Sequence, residues 1–550
     1  MCAASPASAR WLKATSENFI VYGEGSEKSL RSYTAKLESY HALLELATGL
    51  RARTKGAPAT IYLVARKEQL KTAFGRDPKN IGGFYSATAG ATAAISGRGD
   101  DWQPSEEILF HEYAHHFMFR YSALPYPPWY VEGFAEYVGT AEFKNDMAVL
   151  GGIPLSRAVS LVYGSSIPWK TLVTARSLVG MKGEAMGAFY AQSWLLTHYL
   201  LSDDARTEKL QKYLRAYVVE GKSDWPAFVE AFGLDEKALQ AEIKQYQSRV
   251  IKRGIAAPPA KSDTITIEAM PASADQFLLP KLRADLQAPG VIEPVEAEPE
   301  AEAGENKDTK PPASAVEKVS QDQLMLARVR QKAAEYPGDA FAAKALASTE
   351  ISFGDPNAGI AALDAVALNA RDAEWQYLAG LARLALARKD DAKLETLLPE
   401  ARRFFGASFK LDPDRYETLY AYYQSYEMEG ERITPSILDV LLRAHALAPQ
   451  VWDISGDAAV QLLNAGRGRE AALILGVLVN QPHLSEGYRS YIADLLQRAR
   501  QVAAQEDAKK PSPGLFSRTP RSGRRVAAEL RIDHAHKILR GHLVEALGGA

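Results

Sequence analysis

The sequence predicts an α+β domain followed by an all-α helical-repeat domain. Three observations carry this. Short β-branched and aromatic runs alternate with helical periodicity before residue 255, an acidic Pro-rich stretch follows, and the Ala- and Leu-rich remainder repeats itself. A length of 550 residues fits about three or four structural units. The 47% apolar and 24% charged content is that of an ordinary globular chain.

The elements read in order as follows. Ala7-Ser8-Ala9 fits the small-x-small pattern of a signal cleavage site. Only nine residues precede Arg10, so the charged and apolar parts of a signal peptide are missing. The expectation is export, periplasmic or otherwise extracytoplasmic, if the start lies within a truncated signal peptide; a floppy Ala/Ser-rich terminus would mean a cytoplasmic protein. Phe19-Ile20-Val21-Tyr22 and Ile61-Tyr62-Leu63-Val64 read as strands. Between them, Leu30, Tyr33, Leu37, Tyr40, Leu43 and Leu44 recur at helical spacing. Gly82-Gly83-Phe84-Tyr85 marks a turn, and Ala91 to Ser96 forms a short strand against which an extended peptide could lie as on a sheet edge. From Ser105 the pattern is helical. Residues 10–255 are taken as the first domain.

Residues 256–320 are expected to connect. Thr264 to Ile267 alternates like a strand, and Glu293 to Asp308 holds seven carboxylates and one lysine, an extended linker too polar to build a core. Residues 321–500 repeat. Turns at Pro337, Ala370, Pro413, Pro449 and Pro482 are spaced by 33, 43, 36 and 33 residues. A tetratricopeptide repeat has about 34 residues in two antiparallel helices, and this region resembles one. Gly380-Leu381-Ala382 and Gly456-Asp457-Ala458 suit close helix packing, and Gly466 to Ala472 suits a turn and second helix. An irregular helical bundle is the alternative. Residues 501–550 are expected to form a basic, largely disordered tail. Lys509 to Arg525 carries six basic residues and no acidic one, and His534, His536 and His542 read as surface residues.

Composition narrows the function. A formal net charge of -2 excludes a broadly basic nucleic-acid binder, and no nucleic acid is expected as partner. The single cysteine, Cys2, excludes a disulfide scaffold, a cysteine-based zinc site and an iron–sulfur centre within one chain. Any transition metal must therefore bind His, Asp or Glu. No run of about 18 apolar residues is present, so no transmembrane helix is predicted.

The chemistry concentrates in Glu106 to Phe117, which contains His111-Glu112-x-x-His115. Glu106 and Glu107 favour a helix start there, after Pro104. Four residues apart, His111 and His115 project from one helix face and can share a metal ion. Glu112 lies about 100° round the helix, placed to face an activated water rather than the metal. His116 is assigned to packing or support. A second segment, Pro127-Pro128-Trp129-Tyr130-Val131-Glu132-Gly133-Phe134-Ala135-Glu136-Tyr137, opens a helix on its prolines and puts Glu132 and Glu136 on one face. Glu132 follows His115 by 17 positions, enough for a turn between antiparallel helices. It can complete a two-His, one-carboxylate site for one Zn2+, with Glu136 bonded to a ligating imidazole. An amphipathic helix pair with salt-bridging carboxylates is the bland alternative.

A metzincin would place Gly and His three and six residues after His115, where this chain has Met118 and Tyr121. His-Glu-Tyr-Ala-His-His followed by Pro-x-Trp-x-x-Glu-Gly-x-Ala-Glu-Tyr resembles the gluzincin, peptidase MA-like group of zinc metallopeptidases. The aminopeptidase branch has a similar Glu-Gly-Phe-Ala stretch, and this implies that Glu132 is the third ligand, although the interval here is shorter. The resemblance covers roughly residues 10–250, with Trp11 to Tyr22 as its opening and Tyr190-Ala191-Gln192-Ser193-Trp194 as a later helix. No Gly-x-Met-Glu-Asn motif is present, so aminopeptidase activity does not carry over. Gluzincins steady the oxyanion with an added Tyr or His. The resemblance makes Tyr190 the candidate and His198 the runner-up, either of which could equally be a core residue. The implied function is zinc-dependent peptide-bond hydrolysis on a peptide or protein substrate, with a protein partner on the repeats. The alternative is a scaffold carrying a metallopeptidase fold of little or no turnover.

Overall fold

Period-two alternation builds the first hairpin. A computed structural model describes residues 11–51, 56–75, 83–97, 105–122, 124–144, 147–181, 183–218, 221–247, 252–257, 262–287, 320–430 and 432–508. The Ala7-Ser8-Ala9 pattern, the acidic linker, the basic stretch Lys509 to Arg525 and the histidines after it lie outside these residues, whereas 501–508, expected to begin the tail, are the end of a helix that starts at Glu486. Strands β1 (Trp11–Thr15) and β2 (Phe19–Glu24) pair antiparallel, and the long helix α1 (Glu27–Thr48) follows. Ser26 caps that helix by accepting from the Ser29 amide, and Gly49 ends it in the left-handed conformation. Then come β3 (Ala59–Val64), α2 (Lys67–Phe74), β4 (Gly83–Ala87) and β5 (Thr92–Gly97).

The sheet order is β4-β5-β3-β2-β1 and then β9 (Thr266–Ala269). Two expectations change here. Gly83-Phe84-Tyr85 begins a strand, not a turn, because its backbone pairs antiparallel with Tyr85 opposite Ala94. The strand at Ala91–Ser96 is β5, and it is not an edge: β3 lies parallel on one side and β4 antiparallel on the other. Among the described residues, β4 forms that end of the sheet.

Alternate residues serve the two faces. Ile61 and Leu63 join Leu37, Tyr40, Phe110 and Phe117, so α1 and α3 (Ser105–Tyr121) cover one face. Tyr62 and Val64 join Leu70, Leu278 and Leu282, so α2 and α11 (Ala274–Leu286) cover the other. The region expected merely to connect thus holds a strand of the sheet and a helix of its cover. Period-two alternation announced the strand; α11 packs on both sides, so its polar face is too narrow to mark it as a surface helix.

After α3 the chain forms α4 (Pro128–Gly139), a small sheet of β6 (Glu142–Lys144), β7 (Met147–Leu150) and β8 (Arg253–Ala256), and helices α5 (Leu155–Tyr163), α6 (Trp169–Thr174), α7 (Glu184–Leu201), α8 (Asp204–Val218), α9 (Asp224–Phe232) and α10 (Glu236–Gln247). This is the α+β architecture that the element order predicts.

From Gln321 the described chain is helical: α12 (Gln321–Ala333), α13 (Ala340–Phe353), α14 (Pro356–Asp364), α15 (Ala373–Ala387), α16 (Leu394–Leu411), α17 (Tyr416–Glu427), α18 (Pro435–Leu447), α19 (Trp452–Asn464), α20 (Gly468–Val479) and α21 (Glu486–Ala508). The five turns marked in the sequence fall between alternate helices: four precede the first helix of a pair, and the one at Pro482 precedes α21, the last helix described. Gly380 lets α15 meet α16 closely, since a Cβ there would lie 2.6 Å from the Phe405 ring. The helical region docks on the sheet domain at several places, three of them as follows. Phe277 of α11 packs with Val329, Ala342 and Ala345. The Tyr416 hydroxyl donates to Thr88 O at 3.1 Å and meets Thr92 Oγ1 at 3.0 Å. The loop between α20 and α21 donates no strand or helix but crosses to the helices around α4: Leu178 N–H donates to Pro482 O at 2.9 Å.

Candidate metal centre

The site is made where α3 and α4 cross. Leu109, Phe110, Tyr113, Ala114 and Phe117 bury one side of α3. That leaves His111 and His115 directed at α4, as i and i+4 positions require. Helix α4 starts on Pro128, with Pro127 as its extended N-cap. It is buried almost throughout, and Gly133 explains how: a Cβ there would lie 2.2 Å from Thr197 Oγ1 and 2.3 Å from Ser193 O. Contact with α7 at that distance presses α4 inward and fixes the neighbouring Glu132.

Glu132 is 0% exposed. Its Oε2 lies 3.5 Å from His111 Nε2 and 3.2 Å from His115 Nε2, and the two imidazole nitrogens are 3.0 Å apart. These three atoms are one potential metal-binding set. Their fit to a metal can be tested on geometry. A triangle with those sides has a point about 2 Å from every corner, the bond length zinc takes to imidazole nitrogen and carboxylate oxygen. The electrostatics agree. Neither oxygen of Glu132 receives a well-aligned hydrogen bond. Burying a carboxylate with no aligned donor costs several kcal/mol, and a cation at that point would offset that cost. Burial alone would raise the Glu132 carboxyl, but His115, His111 and His483 hold it well below the usual carboxylate range. Burial alone would lower His111, but Glu136, Glu132 and Glu112 together push it up to about 9. The donor set of two imidazoles and a carboxylate suits zinc and other divalent transition ions alike, so the residues fit a metal without naming it.

Around the set, Glu136 Oε1 lies 3.5 Å from His111 Nδ1 and accepts from Arg157 Nε at 2.9 Å. Arg157 in turn lies 4.3 Å over the Tyr190 ring, whose centre is 6.2 Å from that of His111. Burial, then the charge of Glu132, raises the Tyr190 hydroxyl well above its ordinary value. Glu112 is half-buried, and its charge acts on His111, Tyr190 and His483. His116 turns the other way and meets the Tyr85 hydroxyl of β4 at 2.8 Å, tying α3 to the sheet edge. His198 spends both ring nitrogens in the core, on Tyr246 OH at 2.7 Å and Gly151 O at 3.1 Å. It is therefore turned away from the metal set.

The structure brings His111, His115, Glu132, Glu136 and Tyr190 into one neighbourhood. No known family model matches the chain. No curated protein does so either. Among solved structures, the crystal structure of a thermophilic TPR protein of Thermus thermophilus is similar at 22% identity, with a TM-score of 0.28, over 32% of this chain and 91% of that one.

Two neighbours of the site were not singled out in the sequence. Arg157 follows Pro154 in a short helix with no motif around it. His483 Nε2 lies 3.2 Å from Glu132 Oε1. It comes from the helical region, next to the Pro482 turn marker, and nothing local in the sequence connects it to α4.

Proposed function

We propose that the chain is a zinc-dependent peptide-bond hydrolase whose ligands are His111, His115 and Glu132. The convergence of two imidazole nitrogens and one carboxylate oxygen on a single point carries this reading. Zinc, when bound, supplies a Lewis acid that polarises a carbonyl and makes water nucleophilic at neutral pH. The chain's own residues do the rest. Glu112, beside the ligand row on α3, takes the proton from the attacking water and passes it to the leaving amine. Glu136 fixes the ring of His111 and is itself fixed by Arg157. Tyr190, whose ring lies under Arg157, donates its hydroxyl proton in a hydrogen bond to the developing oxyanion. High resistance of that hydroxyl to ionisation keeps it a donor. The extended substrate pairs with β4, the sheet end beside α3, and the repeat helices bind a protein partner or present the substrate.

Glu112→Gln tests the mechanism. The variant should keep its zinc, read by metal analysis of the purified protein, while peptide hydrolysis falls by at least about 100-fold. Hydrolysis by the variant at the parent rate would remove Glu112 from the mechanism. Failure of the zinc-loaded parent to cut any member of a broad peptide library would leave the scaffold reading in its place.

A further inference from the structure

The outer oxygen of Glu132 needs a partner, and the helical region brings one. If Oε2 faces the metal, Oε1 keeps a share of the negative charge in a position with no access to water. His483 is the group beside it, at 3.2 Å. Its loop is held from both directions. Leu178 N–H donates to Pro482 O at 2.9 Å, and Ser177 Oγ donates to Leu484 O at 3.3 Å. Asn480 Oδ1 accepts from the Tyr217 hydroxyl at 2.8 Å, while its Nδ2 donates to Pro125 O at 3.4 Å. Arg489 of α21 braces the same turn by donating to Gln481 O at 2.6 Å. None of these bonds uses the His483 side chain, so the loop holds the imidazole in place independently of what the imidazole touches. His483 keeps 32% of its side chain exposed and His111 keeps 14%. The loop therefore braces the site without sealing it.

We propose that His483 is a positioning residue of the metal centre: its Nε2, 3.2 Å from the outer oxygen of Glu132 but off the line of a hydrogen bond in this structure, swings into line to donate to that oxygen when a metal is bound, so that the inner oxygen stays aimed between His111 and His115. It does for the carboxylate ligand what Glu136 does for an imidazole ligand. The metal centre is then shared between the two regions of the chain: the helical region supplies part of the site and is not only a binding platform beside it. The inference rests on the metal reading above.

The test is zinc affinity of the full chain, measured by competition with a chromophoric chelator. Outer-shell partners of metal ligands are worth about 10–100-fold in affinity. His483→Ala should bind zinc weaker by that factor. His483→Gln, whose amide N–H can take the place of Nε2–H, should recover most of the loss. Melting temperatures of the metal-free variants should match the parent, since the loop's backbone contacts remain. Should His483→Ala fail to fold, His483→Gln decides the matter by itself, with near-parent affinity expected. Parent-like affinity in His483→Ala overturns the inference and leaves the metal site standing. Equal loss in Ala and Gln variants also overturns it, because donation to Glu132 is then not what matters. A parent chain that takes up no zinc overturns both readings together.

Discussion

Glu136 shows how a single side chain ties the site to its surroundings. It is 4% exposed and stands between His111 Nδ1 and Arg157 Nε. A carboxylate there aligns the ring so that Nε2 points at Glu132, and it increases the basicity of that nitrogen. Glu136→Gln keeps the shape and removes the charge. Zinc affinity should fall about 10–100-fold, with the ligands themselves untouched. An isothermal titration showing no change would mean that the ring is held by α3 packing alone. The core of the site was legible in the sequence because its residues come in helical pairs. His111 with His115 and Glu132 with Glu136 each repeat at four residues, and periodicity exposes that spacing. Arg157 and His483 were not legible, since each reaches the site from a separate element and belongs to no spaced pair of ligand-type residues. Their positions depend on how distant parts of the chain pack.

Helix α4 presents Glu132 to the imidazole pair only because it can sit close to α7. Gly133 faces Thr197 and Ser193 with no room for a methyl group. Gly133→Ala would gain helix propensity, worth about 1 kcal/mol. Overpacking against a backbone carbonyl costs about 1–3 kcal/mol, so the clash should dominate and the variant should unfold at lower denaturant. Zinc should also bind more weakly, because pushing α4 outward carries Glu132 with it. A variant as stable as the parent would show that α4 and α7 can part freely. The Glu-Gly pair thus has a mechanical reading: the glycine sets the depth of the carboxylate. Element types along the chain followed from periodicity, but strand neighbours did not. The strand just before the His111 helix reads as the edge of the sheet, yet backbone pairing on both flanks makes β5 internal. Nothing in alternation encodes which strand lies beside which.

At the scale of the whole molecule, the division into two regions hides a shared fabric. Helix α11 covers the sheet with Leu278 and Leu282 and meets the repeat helices with Phe277. Its salt bridges continue inward: Lys281 Nζ lies 2.6 Å from Asp285 and 2.7 Å from Glu374 of α15. The sequence concealed this because the acidic stretch after residue 288 looks like a clean boundary, while α11 lies before it and serves both sides. Tyr416 and the α20–α21 loop add two more attachments. Regions joined this way should unfold together. Tyr416→Phe isolates the point, since its hydroxyl bonds across to Thr88 and Thr92 and leaves the ring in place. Losing those bonds should cost about 1–2 kcal/mol. Helical circular dichroism and zinc release, followed in one thermal scan, should shift down by the same few degrees and stay superimposed. A helical signal that melts first while zinc stays bound would separate the two regions. It would also remove the basis for a metal centre that depends on His483, because the site would then persist after the α20–α21 loop had gone.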